Sequence, residues 1–197
     1  MYGSVTRNTD QRGFSLTELL IVVGVAILLA ATGLPMMEAA LTQGEADTAL
    51  NVVMSKMRLA RQLSVDLRRV HRVTALQPNR VRLERRDLEG SWDLVVEELL
   101  PGGFEFRIEP GLPSEESLTP DRMGADSAID FKNSNQILFR PEGSATDDAR
   151  EPANGVAYLA YPGKLETARA VTVFGSTGRI RGWRFARDAD SSWRWME

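Results

Sequence analysis

One carboxylate, Glu18, stands in the stretch "QRGFSLTELLIVVGVAILLA" (Gln11 to Ala30), and from Phe14 to Met37 it is the only ionisable side chain. A charge in a bilayer helix costs about 2.5–3.5 kcal/mol at the centre and less near the headgroups. Such a residue calls for a partner, or else reaches back to the interface as a snorkelling side chain. The other chemistry-bearing residues are sparse. His71 is the only histidine and follows an arginine-rich segment, where an imidazole near helix-terminal carbonyls is a common structural placement. Asp121, Asp126 and Asp130 have no EF-hand spacing and read as a solvated loop. There is no cysteine, hence no thiol nucleophile and no cysteine-based metal site. No nucleophile elbow accompanies His71, and no metal-ligand spacing recurs. The reading is a non-enzyme with no cofactor and no metal.

The second cluster is basic. Between Gly178 and Trp195 lie Arg179, Arg181, Arg184, Arg187 and Arg194 against Asp188 and Asp190, an excess of three positive charges on a chain of net charge −3. Interleaved Trp183, Phe185, Trp193 and Trp195 would suit stacking beside phosphate contacts on DNA. The competing reading is an amphipathic last strand: Arg179 and Arg181 outward, Ile180 inward, and a bulge at Gly182 turning Trp183 and Phe185 inward. The strand reading is favoured over DNA, because the rest of the chain adds no basic field.

The elements that position these residues follow from periodicity. The chain has 197 residues, 43% hydrophobic and 26% charged, enough for one globular domain and one further element. Phe14 to Leu34, roughly 20 residues at 1.5 Å each, spans about one hydrocarbon core of 30 Å. Arg7 and Arg12 precede it, which keeps that end cytoplasmic under the positive-inside rule. A secretory signal peptide would need a small-residue cleavage site after the run, and "TGLPMMEAALTQGEA" offers a poor one. An ordinary signal anchor explains neither Gly13 nor Glu18. Ala46, Leu50, Val53, Met57, Ala60, Ser64 and Leu67 then recur at spacings of three and four, with Glu45, Asp47, Arg58, Arg61 and Arg68 off the stripe. One helix is expected from about Ser15 to Arg69, with bends at Gly24, Gly33–Pro35 and Gly44. Short β-prone runs follow, two of them about Pro78–Asn79 and two split at Pro101–Gly102–Gly103. Pro110 to Ser127 reads as a polar loop. One long helix followed by strands is an α+β layout.

"RGFSLTEL" (Arg12 to Leu19) resembles the processing site of type IV pilins and type II secretion pseudopilins. The resemblance implies cleavage after Gly13 by a prepilin peptidase, N-methylation of Phe14, and a glutamate, Glu18, at the fifth mature position. Pro35 falls at the twenty-second mature position, where the family usually carries a helix-kinking proline. The segment "ILFRPEGSA…GVAYLA…ARAVTVFGSTGRIRGW" resembles the carboxy-terminal domain of the GspH/FimT branch, with an F-x-P-x-G turn at Phe139, Pro141 and Gly143 and a terminal G-R-I. "GRIR" also resembles the tail of minor pilins that bind DNA during uptake. The resemblance thus implies a leader at 1–13 and a membrane-spanning assembly helix at 14–37. It implies a periplasmic domain at 38–197, helix end 38–69 and β-rich 70–197, an antiparallel sheet domain packed on the helix. The implied partners are other pilins or pseudopilins in a filament, the prepilin peptidase and the inner membrane. Glu18 would pair with the Phe14 amine of a neighbouring subunit, so its burial is relieved by assembly. The function implied is a minor pseudopilin of type II secretion. The alternative is a minor type IV pilin for pilus assembly or DNA uptake.

Overall fold

The computed structural model describes residues 15–124, 126–189 and 192–197, without the side chains of 32–36 and 39. Gly13, Phe14 and the whole of the 1–13 leader lie outside these residues. The chain divides into two units, Met1–Leu41 and Thr42–Glu197. A single helix, α1 (Leu16–Leu67), contributes to both. Its helical assignment continues through Gly24, Pro35 and Gly44. The helix ends because Arg68 takes a left-handed φ of 51°, which stops the hydrogen-bond ladder and turns the chain into a strand at His71.

In the first unit every described side chain from Ser15 to Ala31 is exposed, including Leu16, Leu20, Leu28 and Leu29. This part of the helix is apolar all round. Among the described residues no helix is long and apolar enough to cross a membrane. The described apolar run, 15–31, is shorter than the about 20 residues that a hydrocarbon core takes. The span expected over 14–37 extends past it at both ends.

The second unit buries the other part of the same helix. Ala46, Ala49, Leu50, Val53, Met54, Met57, Ala60 and Ser64 are buried, the face that the three-and-four spacing implied. Leu67 departs from it and is half exposed, because the chain turns away one residue later.

The short β-prone runs become eleven strands in two antiparallel sheets. They are β1 (His71–Leu76), β2 (Arg80–Arg86), β3 (Trp92–Leu99), β4 (Glu105–Phe106), β5 (Ile129–Asp130), β6 (Gln136–Phe139), β7 (Ala145–Thr146), β8 (Gly155–Tyr161), β9 (Lys164–Phe174), β10 (Arg179–Arg187) and β11 (Trp193–Met196). One sheet has the order β3-β2-β1-β6-β7, the other β11-β10-β9-β8-β4 with β5 also on β8. The buried helix face packs against Val73, Val81, Leu83, Ile137 and Phe139 of the first sheet and Ala157, Leu159, Val171 and Val173 of the second. The architecture is α+β: a long amino-terminal helix, then an antiparallel sheet domain packed on it.

The second sheet is covered on both faces. Strands β8 and β9 are buried almost without alternation, and a separate cluster of Val156, Tyr158 and Ala170 packs under Ile108, Met123, Trp183 and Trp195. The stretch expected as a polar loop, Pro110 to Ser127, supplies part of that cover through short 3-10 turns at Glu116–Leu118 and Pro120–Arg122. Leu112, Met123 and the Asp121 carboxylate face inward while Glu115, Glu116, Leu118 and Asp126 stay exposed, so its composition gave no sign of burial.

Candidate functional site

Ser15 caps α1. Its hydroxyl oxygen accepts the Glu18 backbone N–H at 3.1 Å, and its carbonyl accepts the Leu19 N–H at 3.1 Å. The sequence Ser15-x-x-Glu18 is therefore a capping-box spacing, with the carboxylate in the first turn, where the positive end of the helix dipole favours it. The sequence reading weighed membrane and assembly roles for Glu18 and missed this one. The S-x-x-E signal was in plain view. Glu18 is exposed, so its carboxylate is open to a group outside the chain as well. Pro35 falls within α1, but its side chain is not among those described.

Strand β10 holds the four arginines and separates them. Its register with β9 runs from Arg179↔Phe174 to Arg184↔Arg169 without a shift. There is thus no bulge at Gly182, and the expected inward turn of Trp183 and Phe185 does not occur. Regular alternation instead puts Arg179, Arg181, Trp183, Phe185 and Arg187 on one face and Ile180, Gly182, Arg184 and Ala186 on the other. Both faces are covered, so aromatic and apolar residues are accommodated on either side.

The arginines meet different fates. Arg184 crosses to the helix and pairs with Asp47 at 3.1 Å. Arg181 is held by Asp121 at 2.9 Å and Glu197 at 3.3 Å. Arg179 lies over the Phe174 ring at 4.3 Å and Arg187 over Trp193 at 5.2 Å, both exposed. Arg194 pairs with Asp188. Of the proposed cluster, Arg179 and Arg187 keep their charge free of a carboxylate among the described residues.

Asp121 is the anchor of the outer cover. Its side chain is only 7% exposed and takes hydrogen bonds from Arg181 and from the Thr172 hydroxyl, while the Trp183 indole donates to Thr172 Oγ1 at 3.0 Å. The solvated-loop reading of this aspartate is thereby corrected. Asp130 accepts the Asn133 N–H at 2.6 Å in a local turn and Asp126 is exposed, so the three aspartates do not converge. Among the described residues no three His, Asp or Glu side chains are placed to hold a metal ion.

The two motif turns meet at one helix arginine. Gly143 of the F-x-P-x-G turn and Gly178 of G-R-I both have left-handed φ, 86° and 60°. Arg61 of α1 donates from Nε to the Gly143 carbonyl at 3.0 Å and from Nη2 to the Thr177 carbonyl at 3.2 Å. A Cβ on Gly178 would come within 2.1 Å of the Gly143 oxygen. Glycine is required there by conformation and by contact alike.

His71 opens β1 and is fully buried. Its Nδ1 lies 3.1 Å from the Arg69 carbonyl, at the helix end as expected, and 3.1 Å from Ser64 Oγ. A carbonyl only accepts, so the ring proton sits on Nδ1, and Nε2 is buried without a partner. Burial, with the nearby Arg85 charge, holds its pKa below the ordinary histidine value against the opposing Arg69 bond. A further feature gave no sequence signal. Arg169 on β9 is 3% exposed and donates to Asp47 Oδ1 at 3.0 Å, Gln43 Oε1 at 2.7 Å and the Ala168 carbonyl at 3.0 Å.

No protein-family model and no curated protein sequence matches the chain. Solved structures similar to it include the type IV minor pilin FimU of Pseudomonas aeruginosa, 14% identical over 70% of this chain and 87% of that one, with a TM-score of 0.48. The minor pseudopilin EpsH from the type II secretion system of Vibrio cholerae is 13% identical over 71% of this chain and 97% of that one, also with a TM-score of 0.48.

Proposed function

We propose that the chain is a minor subunit of the pilin and pseudopilin class, a structural component rather than an enzyme, and specifically a pseudopilin of a type II secretion filament. The observation that carries this is the double use of α1: its residues in the first unit are apolar and exposed with Glu18 in the first turn, and its residues in the second unit are the buried spine of the sheet domain. In this reading a prepilin peptidase removes residues 1–13 and Phe14 is methylated. Residues 14–37 lie in the inner membrane and 38–197 in the periplasm. In the filament the Glu18 carboxylate meets the Phe14 amine of a neighbour, an ion pair in a low-dielectric bundle that lipid alone does not provide.

The place of Glu18 in a capping-box spacing makes the test sharper. Gln serves a capping box nearly as well as Glu but carries no charge. Glu18→Gln, like Glu18→Ala, is expected to insert in the membrane normally and to lose cross-linking to neighbouring subunits. Cross-linking retained in Glu18→Gln would reduce the carboxylate to a helix cap. In parallel, mass spectrometry of the membrane-extracted protein should find methylated Phe14 as the first residue. An intact Met1 in cells holding the peptidase rejects the reading.

The second reading is a minor type IV pilin that binds DNA through Arg179, Arg181, Arg184 and Arg187. The observation that favours it is the exposure of Arg179 and Arg187 without carboxylate partners. A gel-shift titration at two salt concentrations separates the two, since binding by phosphate contacts weakens steeply with salt, and replacing Arg179 and Arg181 should weaken it for all sequences alike and flatten the salt dependence. Neighbouring genes, a secretion cluster or a pilus and competence cluster, discriminate independently.

A further inference from the structure

Strand β10 is paired along only part of its outer edge. Strand β11 pairs with Arg184–Arg187 alone, whereas Arg179–Trp183 pair with β9 on one side and, among the described residues, with no strand on the other. Every second residue of an antiparallel strand turns both its N–H and its C=O to the same side, so this stretch presents unpaired donors and acceptors together. An open edge of this kind is a template for a further strand.

Beside the open edge runs a groove. Its wider part, about 1060 Å³, lies between Arg58, Arg61 and Val65 of α1 and the turn from Phe174 to Ile180. Through Arg58 and Ile180 it meets a narrower part of about 630 Å³, lined by Leu50 and Met54 on the helix and by Gly182 and Ala186 on the strand. At Gly182 the strand packs directly on the helix, and a Cβ there would stand 2.5 Å from the Met54 sulfur. Five arginines line the two parts against three carboxylates, Asp66, Glu142 and Glu197. Arg58, Arg61 and Arg179 have no carboxylate within ion-pair distance among the described residues.

We propose that an extended acidic segment of another polypeptide completes this sheet, lying in line with β11 along Arg179–Trp183 with alternate side chains in the groove against α1. The chemistry selects the occupant. A phosphodiester backbone supplies acceptors but no donors, so a nucleic acid leaves the strand's carbonyls unpaired. A second copy joined edge to edge sets Arg58 and Arg179 against their own duplicates. An acidic peptide supplies both halves of the ladder and the opposite charge. The proposal does not rest on the filament reading: loss of the Glu18 pairing would leave this edge as it is.

The test uses the full chain in detergent micelles and a fluorescent capped peptide of about six residues, a common strand length, alternating Glu and Val. Saturable binding is expected, with slowed amide exchange at Arg179–Trp183. Exchanging Glu for Lys, or N-methylating the central peptide bond, should each weaken binding at least about tenfold, as should Arg58→Glu combined with Arg179→Glu. Those arginines are exposed, and an unchanged circular dichroism spectrum shows that the variant is folded. The proposal is overturned by no saturable binding, by equal binding of the N-methylated peptide, by displacement of the peptide by single-stranded oligothymidylate, or by protection of the same amides through self-association.

Discussion

Removing one carboxylate on the helix should destabilise the whole sheet domain. Arg169 is 3% exposed and donates to three neutral oxygens, those of Gln43, Glu166 and Ala168, and one charged one, Asp47 Oδ1. Asp47→Ala leaves the guanidinium hydrogen-bonded to Gln43 and Ala168 but with no counter-charge, and burial already works against its charged form. Breaking a buried pair in this one-sided way costs about 3–5 kcal/mol. The Asp47 side chain is 30% exposed, so water screens one side and the lower figure, about 3 kcal/mol, applies. For a domain of this size that corresponds to a fall in Tm of about 6–12 °C. The second partner of Asp47, Arg184, is 57% exposed and contributes little, so Arg184→Ala should cost less than about 1 kcal/mol. Urea unfolding of the full chain in micelles reads the effect, because all four tryptophans, Trp92, Trp183, Trp193 and Trp195, lie in the sheet domain. The decisive control is Asp47→Leu with Arg169→Met, which removes both charges and should recover most of the loss. A single variant within about 1 kcal/mol of the parent, or a double variant as unstable as the single, would refute the reasoning.

Three further outcomes are expected. His71 has a folded-state pKa below its unfolded value of about 6.5, so its contribution is complete above that pH and is lost as the pH falls below it, by up to about 1.4 kcal/mol per pH unit. Urea midpoints at pH 7.5 and 5.5 should therefore differ in the parent and converge in His71→Gln; equal slopes would assign the acid loss elsewhere. Gly178→Ala meets both a φ of 60° and the Gly143 oxygen, and should destabilise by more than about 1 kcal/mol, whereas Gly163→Ala, with left-handed φ but open space, should cost less. Asp121→Ala should speed amide exchange across 107–124 and shift tryptophan emission to the red, because the Thr172 and Arg181 bonds that fasten this cover are lost.

What the sequence revealed and what it hid divide along a physical line. The helix stripe from Ala46 to Ser64 was readable because a helix repeats its face locally, every three or four residues. The β-prone runs about Pro78–Asn79 and Pro101–Gly103 were readable for the same reason, and they form β1 to β4. Pairing is not local. Nothing in "QILF" announces that it lies beside β1, so two sheets could not be told from one. Asp47 and Arg169 each look like an ordinary surface charge, and only the fold brings them together. Strand β10 misled for a different reason: with both faces covered, the alternation that tells inside from outside is erased, and a bulge was invoked to restore it. Ser15 and Glu18 are the opposite case, a local signal that was readable and overlooked.

The sheet order β3-β2-β1-β6-β7 also dictates the order in which the domain can be built. Strands β1, β2 and β3 are joined by short turns and can pair as soon as they exist. The free side of β1 waits for Gln136–Phe139, and the helix stripe waits longer still, for Val171 and Val173. A chain produced from its amino terminus therefore spends most of its synthesis with part of its apolar spine bare and one side of β1 unpaired, and closes both late. Long-range pairing of this kind is slow and exposes sticky surface while it lasts. A chain cut short before β6 would keep the helix and β1 to β3, with Val73, Val81 and Leu83 to cover part of the spine, but would leave bare the part that Ile137, Phe139, Val171 and Val173 cover in the whole domain.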